Sequence, residues 1–108
     1  MKDLNISLLM DFYGNLLPEK QLDMLEQYYQ EDLSLSEIAE NSGITRQGVH
    51  DSIKRASLEL KSYEEKLGLL KRFSDITVSA EKIRELISPD SDNRKEIISL
   101  LDIIIKEA

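Results

Sequence analysis

The sequence predicts an all-α fold, namely a helix-turn-helix bundle with a long fourth helix and a C-terminal helical extension. Three observations support this prediction. The 108 residues include only two prolines and four glycines. Apolar residues recur at spacings of three and four, as on the buried face of a helix, and two helix-start signals flank a glycine in mid-chain. The length suits one small domain with an appendage, which we place at residues 1–72 and 73–108.

The first two helices precede the motif. Helix one is expected over about Leu4 to Leu16, and its inward side is expected to consist of Leu8, Leu9, Phe12 and Leu16. Pro18 suits the first turn of a helix and opens the second. The second helix is expected to end near Tyr29, with an inward side of Leu22, Leu25 and Tyr29.

The third helix carries the strongest start signal in the chain. Ser34 is the expected N-cap, and Glu37 stands three residues later as its capping-box partner. The helix is expected to stop at Gly43, because glycine permits the positive φ of a tight exit. Thr45 then caps the fourth helix.

Apolar residues of the fourth helix repeat at alternating spacings of four and three: Val49, Ile53, Ala56, Leu60, Tyr63, Leu67 and Leu70. Such a helix is about 40 Å long, so its second half is expected to project from the core and to need a cover. The cover is expected from tail helices at about 78–87 and 92–106, or from a second copy. The last helix is apolar around most of its circumference, which favours a protein interface and a homodimer.

A helix-turn-helix needs a small residue where the helices cross, a glycine in the turn and a branched apolar residue on the second helix. Ala39, Gly43 and Val49 supply these at intervals of four and six. The adjoining interior positions are expected to be filled by Ile38, Ile44 and Ile53. Three residues at constrained spacing, together with two capping signals, predict the motif.

The outward face of the fourth helix carries the candidate nucleic-acid-binding residues. In DNA-bound helix-turn-helix proteins, the first exposed positions reach base edges and later Lys or Arg side chains contact phosphate. The residues expected to read bases are Arg46, Gln47 and His50. Those expected to contact the phosphate backbone are Lys54, Arg55 and Lys61, together with the N-terminal end of the helix at Thr45.

The charge distribution limits this binding. The net charge is −7, and residues 18–44 carry one lysine against seven acids. Residues 45–72 are the positive stretch, with seven basic and four acidic side chains. Because Asp51 lies among the candidates and the acids of helices two and three repel phosphate, we expect weak, strongly salt-dependent DNA binding.

No catalytic, cofactor or metal site is predicted. The chain has no cysteine and one histidine, and no glycine-rich phosphate loop occurs. His50 is interpreted mainly as a solvated surface residue, and Tyr28, Tyr29 and Tyr63 as core or interface residues before stacking platforms. No apolar stretch suits a signal peptide or approaches the ~20 residues of a membrane span, so we expect a cytoplasmic protein without membrane insertion. Because no catalytic site is predicted, we also expect that the protein is not an enzyme.

Residues 17–60 resemble region 4 of bacterial sigma factors. The matching features are Leu17-Pro18-Glu19, a helix ending in tyrosine, and Ser34-x-x-Glu37-Ile38-Ala39 before Gly43-Ile44-Thr45. Most of the chain, up to about Asp75, resembles the YlxM family of small bacterial proteins. That similarity rests on the N-terminal Leu/Tyr helix, on Thr45-Arg46-Gln47-Gly48-Val49 with Lys54-Arg55-Ala56, and on Tyr63-Glu64-Glu65-Lys66-Leu67.

The YlxM resemblance implies a DNA-binding or regulatory protein associated with the signal recognition particle pathway, chiefly through gene neighbourhood with the particle's GTPase. Two functions stay open. The first is a helix-turn-helix regulator that binds DNA, or the particle's RNA, through the fourth helix. The second is an adaptor on the GTPase that contacts a basic partner with its acidic surface and has no sequence-specific DNA binding.

Overall fold

The computed structural model describes residues 4–87, 89–90 and 92–107, and it confirms the all-α prediction. In that part of the chain there is no β-strand. The helices are α1 (Leu4–Tyr13), α2 (Glu19–Tyr29), α3 (Leu35–Ser42), α4 (Arg46–Leu67), α5 (Leu69–Leu86) and α6 (Arg94–Glu107), with a 3-10 turn at Gly14–Leu16. The chain divides after Gly68 into two compact units.

Helix α4 is the centre of the first unit, and α1, α2 and α3 each pack against it. The predicted seam supplies its buried residues as far as Leu60; Tyr63 is half-buried, and the side chain of Leu67 is 56% exposed. The other helices contribute Ile6, Leu9, Met10, Tyr13, Leu25, Ile38 and Ala39 to this core. The seam residues from Val49 to Leu60 thus lie at the centre of the core of the first unit.

The predicted length of the fourth helix is wrong. Gly68 adopts a φ of +63°, and its N–H donates to the carbonyl of Glu64 at 2.8 Å, which ends α4 at Leu67. Helix α5 begins at Leu69, well before the predicted start at Val78. A left-handed glycine closes a helix even where the apolar spacing continues. The domain boundary expected after residue 72 falls inside α5, whereas the chain divides into its two units after Gly68.

The predicted inward side of α1 is also partly wrong. Leu8 is 48% exposed, whereas Ile6, Leu9 and Tyr13 are buried. Seven of the ten residues of α1 are apolar, so their spacing fits more than one face. The observed face brings the hydroxyl of Tyr13 to Glu64 on α4, to which it donates at 2.7 Å.

The second unit consists of α5 and α6, which pack against each other. Ala80 and Leu101 are its buried apolar residues in the described part of the chain. Arg84 Nη1 lies 3.1 Å from Asp102 Oδ1 across the two helices. Exposed large apolar side chains are numerous for so small a unit: Leu69, Ile76, Val78, Ile83, Leu86, Leu100, Ile103 and Ile104. Much of the apolar surface of this unit is therefore not covered by its own two helices.

Candidate nucleic-acid interface

Local hydrogen bonds fix both helices of the motif, as the sequence predicts. The Ser34 hydroxyl accepts from the N–H of Glu37, and the Glu37 carboxylate accepts from the N–H of Ser34, each at 3.1 Å. Thr45 Oγ1 accepts from the N–H of Gly48 at 3.0 Å and caps α4. These bonds satisfy N–H groups that have no acceptor within their own helices.

The Ser34 cap also affects the acidity of Glu37. The hydrogen bond from the Ser34 backbone, followed by the one with its side chain, lowers the pKa of Glu37 below its ordinary value. Both bonds favour the charged carboxylate. The capping box is therefore strongest where Glu37 is ionised.

The turn between α3 and α4 follows the predicted geometry. Gly43 has a φ of +70°, and its N–H and that of Ile44 both donate to the carbonyl of Ala39, at 2.9 and 3.2 Å. Ala39 and Val49 are buried. A left-handed φ favours glycine, so the small residue, the glycine and the branched residue have the roles expected of a helix-turn-helix.

One interior position of the motif is predicted wrongly. Ile38 and Ile53 are buried as expected, but Ile44 is 43% exposed. The Ile44 side chain lies over the first turn of α4, where a Cβ added to Gly48 would be 3.5 Å from its Cδ1 atom. Ile44 therefore covers the start of α4 at the surface and does not fill the core.

All the residues singled out as candidate contacts are exposed: Thr45, Arg46, Gln47, His50, Lys54, Arg55 and Lys61. They do not form one cluster. Successive helical residues are about 100° apart around the axis, so Lys54 and Arg55 point to different sides of α4. His50, Lys54 and Lys61 follow one stripe, and Arg55 lies on the side beyond Asp51.

Asp51 contacts two of the predicted base-reading side chains. The amide Nε2 of Gln47 donates to Asp51 Oδ1 at 3.0 Å, and Nδ1 of His50 lies 3.4 Å from the same oxygen. A carboxylate at the centre of a face that approaches DNA repels phosphate. Gln47 and His50 must therefore break or share these contacts before they can bind a base edge.

His50, Lys54 and Lys61 also line a surface groove of about 340 Å³, which we name the α2–α4 groove. Its other lining residues on α4 are Ile53, Ser57 and Leu58. Tyr28 and Tyr29 of α2 and Leu35 of α3 form the opposite side. The basic stripe of α4 therefore borders an aromatic and aliphatic depression, which the sequence analysis did not predict.

The acidic side chains of α2 form a separate surface. Glu19, Asp23 and Glu26 line a shallow groove together with Lys20 and Leu22. Gln27, one turn after Asp23, lies at the edge of this surface and is buried; it donates to Asp23 at 3.0 Å and accepts from Asn41 of α3 at 3.0 Å. This polar link between α2 and α3 was not predicted from the sequence, where its only signal is a glutamine two positions after Leu25.

In the described ranges, no three His, Cys, Asp or Glu residues are grouped so as to hold a metal ion. The same part of the chain has no helix that is long and apolar enough to cross a bilayer.

Comparison with known proteins gives the family. A family model described as "UPF0122: Putative helix-turn-helix protein, YlxM / p13 like" matches residues 1–102. The chain belongs to the UPF0122 family. A UPF0122 protein of Desulforamulus reducens is 52% identical over 82 residues, which cover 76% of this chain and 70% of that protein. The match confirms the resemblance to YlxM proteins and agrees with the helix-turn-helix seen in the first unit.

Other UPF0122 proteins align over nearly the whole chain. One from Thermoanaerobacter is 43% identical over 104 residues, covering 94% of this chain and 89% of its own length. One from Bacillus cereus is 40% identical over 105 residues, covering 97% and 96%. Similarity within the UPF0122 family therefore extends to the two-helix unit as well as to the helix-turn-helix.

Proposed function

We propose that this helix-turn-helix protein binds nucleic acid through α4 and acts as a regulatory protein linked to the signal recognition particle pathway. The proposal depends on the exposed side chains of the first two turns of α4. Arg46, Gln47 and His50 stand on a helix whose crossing with α3 is fixed by Ala39 and Val49. A recognition helix presents base-reading side chains from this position.

In the proposed complex, the first turns of α4 enter the major groove. Arg46 suits the two acceptors of guanine, and Gln47 suits adenine once it has left Asp51. The side chains placed on phosphate are Lys54, Arg55 and Lys61. At Thr45 the hydroxyl already caps Gly48, so a phosphate at this end binds through backbone N–H groups beyond the cap.

The surrounding charges make this interaction weak. The three contacts of lysine and arginine side chains with phosphate correspond to a slope of about −3 in log affinity against log salt for duplex DNA. Asp51 and the acids of α2 oppose each contact. We therefore expect measurable duplex binding at low salt and its loss near physiological salt.

A second candidate function is an adaptor on the GTPase of the signal recognition particle. The surface of Glu19, Asp23 and Glu26 favours it, because a basic protein partner complements that surface. In this case the basic stripe of α4 contacts RNA phosphate or no nucleic acid. The link to the particle rests on the resemblance to YlxM proteins.

We further propose a homodimer joined through α5 and α6. Ile76, Ile83 and Ile104 line an apolar groove of about 330 Å³ on this unit. Two helices with so little buried side chain have a small hydrophobic core for their size, and a second copy offers the same apolar face in a two-fold arrangement. Sedimentation at tens of micromolar tests this: Ile76→Glu with Ile104→Glu should give a monomer, while Leu16→Glu should not. A wild-type monomer would contradict the dimer.

Titration by fluorescence anisotropy separates the two functions. The labelled probes are random duplex DNA, the particle's RNA and the particle's GTPase, each at low and physiological salt. The nucleic-acid function predicts duplex or RNA binding that salt weakens. The adaptor predicts association with the GTPase that survives nuclease treatment and physiological salt, and absence of all three interactions would contradict both.

A further inference from the structure

The α2–α4 groove has an apolar floor that the helices of the first unit leave exposed. Leu58 is 58% exposed although it lies in the middle of α4. It lines the groove together with Leu35 and the two tyrosines. Burial of such a side chain contributes favourable free energy in proportion to the apolar area removed from water, so the groove suits an apolar ligand surface.

The rim of the groove is basic although the protein is acidic. His50, Lys54 and Lys61 line it, and among the residues described by the structure no carboxylate does. The net charge of the chain is −7, so this rim differs in sign from most of the molecule. Charge complementarity selects a ligand with negative groups beside its apolar ones.

The length of the basic stripe beside the groove matches a short helix. From His50 to Lys61, the stripe covers eleven residues of α4, or about 16 Å. A helix of three turns has the same length and can place apolar and acidic side chains on adjacent stripes. Helices bind in grooves of this kind through anchors at successive turns.

An unstacked nucleobase fits the same groove less well. The rings of Tyr28 and Tyr29 are 5.0 Å apart at 89°, so the edge of one ring meets the face of the other. Base stacking requires an open aromatic face. The remaining floor is aliphatic at Leu35, Ile53 and Leu58, which favours aliphatic side chains of a protein ligand.

We propose that the α2–α4 groove docks an amphipathic helix of a partner protein, with apolar side chains on Leu58 and the tyrosines and carboxylates on Lys54 and Lys61. This goes beyond nucleic-acid binding and does not depend on it, because Arg46, Gln47 and Arg55 do not line the groove. Because Lys54 and Lys61 are common to both surfaces, the partner helix and a duplex compete.

Binding of a designed peptide to the full chain tests the groove. The probe is a fluorescein-labelled helical peptide of about four turns, with leucines on one stripe and glutamates on the next; a second peptide has lysine in place of each glutamate. The acidic peptide should bind and the basic one should not. Leu58→Ala should weaken binding about tenfold, while Leu67→Ala, at 56% exposure on the same helix, should leave it unchanged.

Charge reversal gives the sharper comparison. Lys54→Glu with Lys61→Glu should weaken the acidic peptide more than about tenfold and allow the basic peptide to bind. Arg46→Ala with Arg55→Ala should leave peptide binding intact while it reduces duplex binding, so the two proposals fail separately. Circular dichroism checks that each variant is folded.

Three results would overturn the proposal. Equal affinity of the wild type and Leu58→Ala for the acidic peptide would show that the groove does not hold it. A change in sedimentation caused by Leu58→Glu would show that a second copy occupies the groove. Single-stranded oligouridine that binds the wild type but not Leu58→Ala would show that a nucleotide occupies it.

Discussion

Gly43→Ala is the substitution that tests the turn of the helix-turn-helix most simply. Gly43 has a φ of +70°, and a Cβ built on it meets no atom within 4 Å. The cost of the substitution is therefore the cost of the left-handed backbone alone, about 1–2 kcal/mol for an L-residue. Alanine also lowers the entropy of the unfolded chain and recovers about 0.4–1 kcal/mol. We expect a net loss of about 1 kcal/mol in the free energy of unfolding.

Thermal and urea unfolding followed by circular dichroism measure this loss. About 1 kcal/mol lowers the Tm of a domain of this size by about 4–8 °C. Gly43→Asn should cost less, because asparagine tolerates the left-handed region. Gly68→Ala is the matched control: Gly68 has a φ of +63° and equally open surroundings, but it lies outside the motif, so it should cost as much and leave duplex binding unchanged.

Two outcomes would refute this reasoning. A raised Tm for Gly43→Ala would show that residue 43 does not adopt a positive φ, because alanine then only lowers the entropy of the unfolded chain, and this result would remove the turn from the motif. A loss well above about 3 kcal/mol would show that the side chain meets neighbouring atoms or disturbs the crossing of α3 and α4.

Two further predictions concern the core and the cap. Leu9 is 4% exposed and Leu8 is 48% exposed. Leu9→Ala should therefore lower the free energy of unfolding by about 2–5 kcal/mol, whereas Leu8→Ala should change it by less than about 0.5 kcal/mol. Equal losses in urea unfolding would contradict the observed face of α1. The pKa of Glu37 in the folded protein is lowered from 4.5. The stability that the ionised carboxylate of Glu37 contributes is therefore complete above pH 4.5 and is lost as the pH falls through the folded-state pKa. The difference in Tm between the wild type and Glu37→Gln should therefore shrink as the pH is lowered from neutral to well below 4.5, and a constant difference would contradict the ionised cap.

Local signals in the sequence were sufficient for the helix-turn-helix. Caps depend on hydrogen bonds within four residues, so Ser34, Glu37 and Thr45 could be assigned from spacing alone. The glycine turn at Gly43 depends on one backbone angle and was equally accessible. These predictions are confirmed because the same short segments that contain the signals also make the bonds.

The failures arise where the sequence permits two arrangements. Helix α1 is apolar on most sides, so only contact with α4 selects Ile6 and Leu9 over Leu8. The heptad pattern continued through Gly68, and one glycine in the left-handed region outweighed it. A prediction from apolar spacing alone does not take into account that one glycine, here Gly68, can adopt a left-handed backbone and end the helix.

The candidate interface was predictable in part. Exposure of the seven residues follows from the buried seam of α4, because the opposite side of that helix must face water. Their partners do not follow from it. The α2–α4 groove joins Tyr28 and Tyr29 to a stripe more than twenty residues away in sequence, and only the packing of α2 against α4 brings them together. Asp51 was recognised as a repulsive charge, but its contacts with Gln47 and His50 depend on side-chain conformation.

The central claim is that the basic residues of α4 bind duplex DNA because of their position and not because of total charge. The most direct measurement compares duplex affinity at low salt between two triple variants with the same change in net charge. Arg46→Ala, Lys54→Ala and Arg55→Ala should abolish duplex binding, whereas Lys20→Ala, Lys82→Ala and Lys95→Ala, at exposed positions outside α4, should weaken it only slightly. Equal loss in both variants, or full binding by the first, would contradict the proposed interface.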